Sequence, residues 1–276
     1  MTQWFQIKEV AQDVYIIEEP GHVQSYLING RTHSALVDTG AGLSNIREAI
    51  QILMRGKVIV LNTHWHFDHI GGNTLFDDVG ISEKEKHLVE MDLANRFLMD
   101  LYIRPCLEEG IPLPSDFVPE EYGIKGSKPT LLIRDGDQFD IGGRTIQAIS
   151  TPGHTHGSMS FFDNLTGSLF CGDLLYQGTL YAHFDDSDLN TYHQSLKKLL
   201  DSNHSFKTLL PGHNTYPLGP EFINQVHQGF GKILDGDIPA EINEDWGEPS
   251  RSHVFDDFAV LSKVPGARGV RLFDFG

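Results

Sequence analysis

Thr63-His64-Trp65-His66-Phe67-Asp68-His69 places three imidazoles and one carboxylate within six positions. All four are nitrogen or oxygen donors of the kind divalent zinc prefers. The stretch follows an apolar β-branched run, Val58-Ile59-Val60-Leu61, and precedes Gly71-Gly72. It therefore sits where a buried strand ends and the chain turns, the place where α/β proteins put their sites. In extended backbone, His64 and His66 share a face. A bend into a helical turn would let Asp68 and His69 aim at a second point close by. One short peptide could then serve two metals. A surface histidine cluster is the plainer alternative, and it does not call for matching ligands elsewhere.

Matching ligands occur at three later strand ends. Thr151-Pro152-Gly153-His154-Thr155-His156 follows Thr145-Ile146-Gln147-Ala148-Ile149. Cys171-Gly172-Asp173 follows Ser168-Leu169-Phe170, and Pro211-Gly212-His213 follows Thr208-Leu209-Leu210. Each repeats one pattern: a short apolar strand, a glycine-containing turn, then a metal-type donor.

The order His-x-His-x-Asp-His over 64–69, then His154, Asp173 and His213, resembles the metallo-β-lactamase-fold hydrolases. Val37-Asp38-Thr39-Gly40 matches an early strand-end motif of that superfamily. The resemblance covers about residues 10 to 215 and is far more specific for fold than for substrate. It implies an α/β (α+β) fold: a four-layer αββα sandwich. It also implies a ligand set, with His64, His66 and His154 on one metal, Asp68, His69 and His213 on the other, and Asp173 bridging. A hydroxide between the metals would be the nucleophile, with Asp68 placed to take its proton. Zinc is expected, with iron or manganese as alternatives for the same donors. Asp38 is expected to orient a ligand imidazole or the loop.

Tyr176 lies three residues after Asp173. In lactonases of this superfamily a tyrosine at that offset bonds the substrate carbonyl, and here it could donate to an oxyanion. Aromatic packing is the alternative. His156 is expected as a supporting or rim residue, His183 on the surface or a pocket wall, and Cys171 as a small buried hydrophobe.

Departures from subfamily patterns narrow the activity. A zinc β-lactamase of the commonest type has cysteine where this chain has Asp173. Di-iron flavoproteins have glutamate at the place of His66. Glyoxalase II carries a basic glutathione-binding set that cannot be identified here. The expected reaction is cleavage of an activated acyl bond, a thioester or a lactone/ester, on the glyoxalase II, lactonase or acyl-CoA thioesterase-like branch. A metal-dependent phosphodiesterase and a non-catalytic metal-binding protein are the rival classes.

The 276 residues suit one domain with an elaboration. No run reaches the ~18 apolar residues a membrane span needs, so no membrane partner is expected. The formal charge of −17, from 38 acids against 21 bases, argues against nucleic acid as a partner. No secretory signal is visible at the start, and two cysteines are too few for a disulfide framework. A cytoplasmic protein is expected. The expected partner is a small acyl substrate, and a homodimer is the base-rate oligomer.

Along the chain, Val14–Ile17, Tyr26–Ile28 and Ser34–Val37 read as strands. A helix should follow, with Ile46, Ile50 and Leu53 on one face and Ser44 as N-cap. Residues 77–130 read as an insertion that caps or flanks the site, or as a peripheral decoration. Within it Glu83 to Asp100 should be helical. Residues 131–172 read as consecutive strands. Helices are expected over Asp188 to Leu200 and Gly219 to Leu234, and one tail strand at Phe258–Leu261.

Overall fold

The structure, a computed structural model, describes residues 4–245 and 248–271. The chain divides into two compact units. One takes the chain up to Ala148 together with Phe161–Thr166. The other takes Ile149–Ser160 and the chain from Gly167 onward.

The first unit is built on a seven-stranded sheet whose spatial order follows the sequence. Its strands are β1 (Gln6–Ala11), β2 (Val14–Glu18), β3 (Gln24–Asn29), β4 (Ser34–Val37), β5 (Val58–Leu61), β6 (Asp78–Ser82) and β7 (Leu131–Ile133). β1 to β4 pair antiparallel, whereas β4, β5, β6 and β7 run parallel. Every residue of β3 and β4 is buried, as expected for strands covered on both faces. Leu27, Leu36, Val60 and Val79 pack with Ile46 and Ile50 into one core. Each such side chain, fully withdrawn from water, contributes about 1.5–3 kcal/mol.

Ile46 and Ile50 lie on helix α1 (Ile46–Ile50). Its cap is Asn45, not the expected Ser44: the Asn45 side chain accepts the Glu48 N–H at 3.0 Å. Either residue type can cap, and burial of Ile46 and Ile50 decides the register. Helix α2 (Phe67–Ile70) is the single helical turn after the extended His64–His66.

The segment read as an insertion opens with β6. Its expected helix over Glu83 to Asp100 is interrupted. Helix α3 (Lys86–Val89) ends, and α4 (Asn95–Leu98) begins a second run that continues through a wide turn, Met99–Ile103, into α5 (Arg104–Glu109). Pro105 explains the wide turn. It lacks an N–H and its ring would strike the carbonyl one turn back, so the helix widens, and Arg104 N–H bonds Met99 O. Beyond β7, strands β8 (Gln138–Asp140) and β9 (Thr145–Ser150) form an antiparallel hairpin, followed by β10 (Met159–Asp163).

In the second unit β11 (Ser168–Gly172) runs parallel to β13 (Thr208–Pro211). A four-stranded sheet carries β12 (Gly178–Ala182), β14 (Glu241–Asp245), β15 (Glu248–Val254) and β16 (Phe258–Lys263), in the order β12-β16-β15-β14. The tail thus supplies three strands where one was expected. Helices α6 (Leu189–Asp201) and α7 (Glu221–Asp235) pack through Tyr192 and Phe230, ring centroids 4.4 Å apart. Asp188 caps α6 by accepting Thr191 N–H at 2.7 Å. Among the described residues no helix is long and apolar enough to cross a membrane.

Candidate metal centre

In the first unit the site grows from two neighbouring parallel strands. β4 and β5 run in register, with Val37 opposite Leu61. Their carboxyl ends therefore deliver Asp38 beside Asn62 and Thr63. Asp38 takes a left-handed backbone, φ 59°, which Asp and Asn tolerate better than other side chains. Its buried carboxylate accepts three bonds. Oδ1 takes Thr63 N–H at 2.7 Å, and Oδ2 takes the Thr63 hydroxyl and His69 Nδ1–H, both at 2.8 Å.

These bonds set the imidazole tautomers. His69 gives its Nδ1 proton to Asp38, which leaves Nε2 as the lone-pair nitrogen. Thr63 spends its one hydroxyl proton on Asp38, so it accepts from His64 Nδ1 at 3.0 Å, and His64 also presents a lone pair at Nε2. The ring centroids of His64 lie 4.5 Å from His66 and 4.2 Å from His69. Ligand atoms of His64 come within 4.8 Å of those of both rings. All three histidines are buried. Asn62 Nδ2 and the Thr39 hydroxyl both bond His69 O, at 3.1 and 3.2 Å, and both engage Asn73. This net pins the turn that carries the ligands.

In the second unit the same logic repeats. β11 and β13 are parallel, with Gly172 opposite Pro211, so Asp173 and His213 emerge side by side. Asp173 Oδ1 lies 3.3 Å from His213 Nε2, and Oδ2 lies 3.6 Å from His154 Nε2. His154 gives its Nδ1 proton to Tyr181 O at 2.9 Å, again leaving a lone pair at Nε2. The Tyr192 hydroxyl lies 2.7 and 2.6 Å from the carbonyls of Asp173 and Leu174, and it fixes that turn from beneath.

The donors suit a divalent ion. Two donors bound at about 2.0–2.2 Å to one tetrahedral ion stand roughly 3.4 Å apart. The pairs His213–Asp173, His154–Asp173 and His69–Asp68 stand 3.3, 3.6 and 3.6 Å apart. Neutral imidazole and carboxylate is a zinc, iron or manganese set.

The remaining residues fall into place around these. Tyr176 is buried, its hydroxyl donates to Thr179 O at 2.5 Å, and its ring meets His213 edge-on at 5.4 Å. His156 is exposed and faces Asp186 at 3.5 Å. His183 is buried instead of lying at the surface, between Tyr181 and Phe184. Burial first, then the positive fields of His154 and Lys263, pushes its pKa down to about 4. Cys171 is buried and its thiol is pushed far up by burial. Glu19 is a partner that no local pattern in the sequence marks. It accepts Ala41 N–H at 2.8 Å and Trp4 Nε1–H at 3.3 Å. Burial, with Asp68 adding, raises its pKa to about 7.

The Metallo-beta-lactamase superfamily description matches residues 19–213, which take in every donor named above. The chain belongs to the metallo-β-lactamase superfamily. Among curated relatives, human acyl-coenzyme A thioesterase MBLAC2 is 26% identical over 234 residues, covering 78% of this chain and 83% of the relative. Hydroxyacylglutathione hydrolase GloC of Haemophilus influenzae is 25% identical over 202 residues, covering 70% and 85%. Among solved structures, a metallo-beta-lactamase from Pontibacter korlensis superposes with a TM-score of 0.59 at 18% identity, over 82% of this chain and 99% of that one. That likeness establishes the mixed α/β fold of the superfamily. With relatives that are hydrolases by name, the chain is a hydrolase of this fold.

Proposed function

We propose that this chain is a dinuclear metal-dependent hydrolase that cleaves an activated acyl bond, a thioester first and a lactone or ester second. The observation that carries the reading is Asp173, whose two oxygens face one imidazole Nε2 each. A carboxylate placed that way suits a bridge between two ions. His64, His66 and His154 would hold one ion, and Asp68, His69 and His213 the other. The donor chemistry favours zinc. When bound, such ions supply Lewis acidity and lower the pKa of water.

The chain's own residues do the rest. Asp38 and Tyr181 hold two imidazoles in the lone-pair tautomer. Asp68 is half-buried beside His69 and is placed to accept the proton of the attacking water. Tyr176 steadies His213 through ring contact. For its phenol to donate to an oxyanion it must leave Thr179 O. The thioester preference is supported by the acyl-coenzyme A thioesterase and hydroxyacylglutathione hydrolase names of two relatives. The acidic balance of the chain disfavours a nucleic-acid substrate. A cytoplasmic homodimer is the matching expectation.

The test is proton release from metal-loaded protein against acyl-CoA thioesters, acyl-homoserine lactones, simple esters and bis(p-nitrophenyl) phosphate. Turnover of thioesters that disappears with metal in Asp173→Ala supports the reading. Faster cleavage of the phosphodiester, or undiminished activity in that variant, would sink it.

A further inference from the structure

The wide turn in the inserted helix puts Tyr102 against the metal-ligand motif. Its ring meets Phe67 edge-on, centroids 4.8 Å apart, and Phe67 sits between His66 and Asp68 in the chain. The Tyr102 hydroxyl pairs with His22 Nδ1. His22 Nε2 must donate to Pro112 O, at 2.8 Å, since a carbonyl only accepts. In the neutral ring Nδ1 is then the acceptor, and Tyr102 is the donor. His22 thus clamps two points of the segment, Tyr102 and Pro112. The clamp is tight elsewhere too: a Cβ on Gly21 would lie 2.9 Å from Ile111 Cγ2. A second fastening is the Tyr122 hydroxyl, which donates to Ala41 O at 2.6 Å.

Around Tyr102 the wall is aromatic and partly open. Trp4 and His22 are half-buried with ring centroids 5.9 Å apart, and Tyr102 is half-buried as well. Burial first, then Asp68 and Glu19, holds its phenol far above the usual range, so it stays a proton donor. An aromatic wall favours apolar groups and disfavours a carboxylate, which would lose its hydration there.

We propose that Tyr102, fixed by His22, is the specificity-determining residue of an acyl-binding wall formed with Phe67 and Trp4, and that this wall selects an uncharged acyl group over one ending in a carboxylate. The inference rests on the acyl-hydrolase reading above and adds the nature of the acyl group and the element that recognises it. The anionic end of a coenzyme A thioester would point away from this wall.

The experiment compares acetyl-, hexanoyl- and succinyl-CoA as substrates of the metal-loaded protein, Tyr102→Ala, Tyr102→Phe and His22→Ala. The wild-type kcat/KM for hexanoyl should exceed that for succinyl by about tenfold or more. Tyr102→Ala should cut the hexanoyl-to-acetyl ratio by about tenfold, chiefly through KM. Tyr102→Phe keeps the ring and loses the bond to His22, so it and His22→Ala should cut that ratio by only about threefold. An unchanged ratio in all three variants, or a preference for succinyl, overturns the inference. Should Tyr102→Ala fail to fold, the other two variants decide. If wild type hydrolyses none of the three, the thioester reading fails by itself. The wall is then judged by calorimetric binding of hexanoate: tighter binding to wild type than to Tyr102→Phe sustains it, and equal or absent binding rejects it.

Discussion

Replacing Asp38 by asparagine should cost metal while sparing the fold. The side chains are the same size, and asparagine accepts the left-handed backbone at φ 59°. What changes is one oxygen. Thr63 N–H at 2.7 Å needs an acceptor and claims the remaining oxygen. The new amide NH2 then occupies the place of Oδ2, where the Thr63 hydroxyl and His69 Nδ1 each sit 2.8 Å away. The hydroxyl can rotate and accept. His69 must give up its Nδ1 proton, and the neutral ring then carries its proton on Nε2, where a metal would bind. The wrong tautomer and the lost bond to a carboxylate together are worth about 1.5–3 kcal/mol. That is about 10–100-fold in affinity for the ion at His69, the range typical of losing such a supporting partner. Competition against a chromophoric chelator gives the affinities, and calorimetry gives the stoichiometry. The metal-free variant should unfold within about 1 kcal/mol of wild type, since the buried charge leaves with its bonds. An affinity at the His69 position within twofold of wild type would refute the tautomer argument.

Three other perturbations test the frame around the site. Buried Arg144 donates from Nε to Asp163 Oδ1 at 2.9 Å and from Nη1 to the carbonyls of Gln12 and Asn29 at 3.0 and 3.1 Å. Arg144→Met strands the carboxylate and should cost about 3–5 kcal/mol in urea unfolding; a loss under about 1 kcal/mol would show the pair to be dispensable. Burial raises the Asp163 carboxyl, but bonds from Arg144 and Thr166 outweigh it and hold the pKa below the usual value. Its share of stability is therefore full above the unfolded pKa and is lost as pH falls through the folded one. Glu19 has the opposite sign. Between pH 4.5 and about 7 the folded chain keeps a proton there that the unfolded chain releases, so stability falls by about 3 kcal/mol as pH rises across that window. Thermal unfolding of metal-free protein should show that slope, and Glu19→Gln should flatten it; parallel curves would assign the slope elsewhere. Gly153 has φ 145°, and a Cβ there would lie 2.3 Å from the Tyr192 backbone. Gly153→Ala should destabilise by about 2 kcal/mol or more and weaken metal binding through His154; an unchanged melting temperature would contradict the geometry.

The clustered histidines and aspartates stand out in the sequence because each follows an apolar strand, and parallel pairing turns separate strand ends into neighbours. Val37 opposite Leu61 and Gly172 opposite Pro211 do this work. The partners that hold these side chains are harder to see. Glu19 and His22 come from loops and Asn73 from a short helical turn; their local patterns resemble ordinary surface, and only tertiary packing gives them roles. The tail strands were hidden for a related reason. Glu241-Ile242-Asn243-Glu244-Asp245 is polar and lies at the outer edge of its sheet, where alternation of apolar residues is not required. The long helix expected from Glu83 failed at Glu90 to Ala94, and Pro105, whose sequence context suggests a loop, is carried inside a helix by a widened turn.

The imidazoles are not held alike, and the difference bears on chemistry. His69 gives its Nδ1 proton to a buried carboxylate, His64 to a hydroxyl, and His154 to a backbone carbonyl. A carboxylate partner makes the ring a stronger base and a stronger donor than a neutral partner does. On the dinuclear reading, the position beside Asp68 and His69 would thus hold its ion more firmly, and the other would exchange more readily. An asymmetric pair suits acyl hydrolysis, in which one position must polarise a carbonyl while the other keeps the attacking water deprotonated. On the dinuclear reading, the Asp38 carboxylate behind His69 would add to the difference that Asp68, a carboxylate among imidazoles, already makes between the two positions.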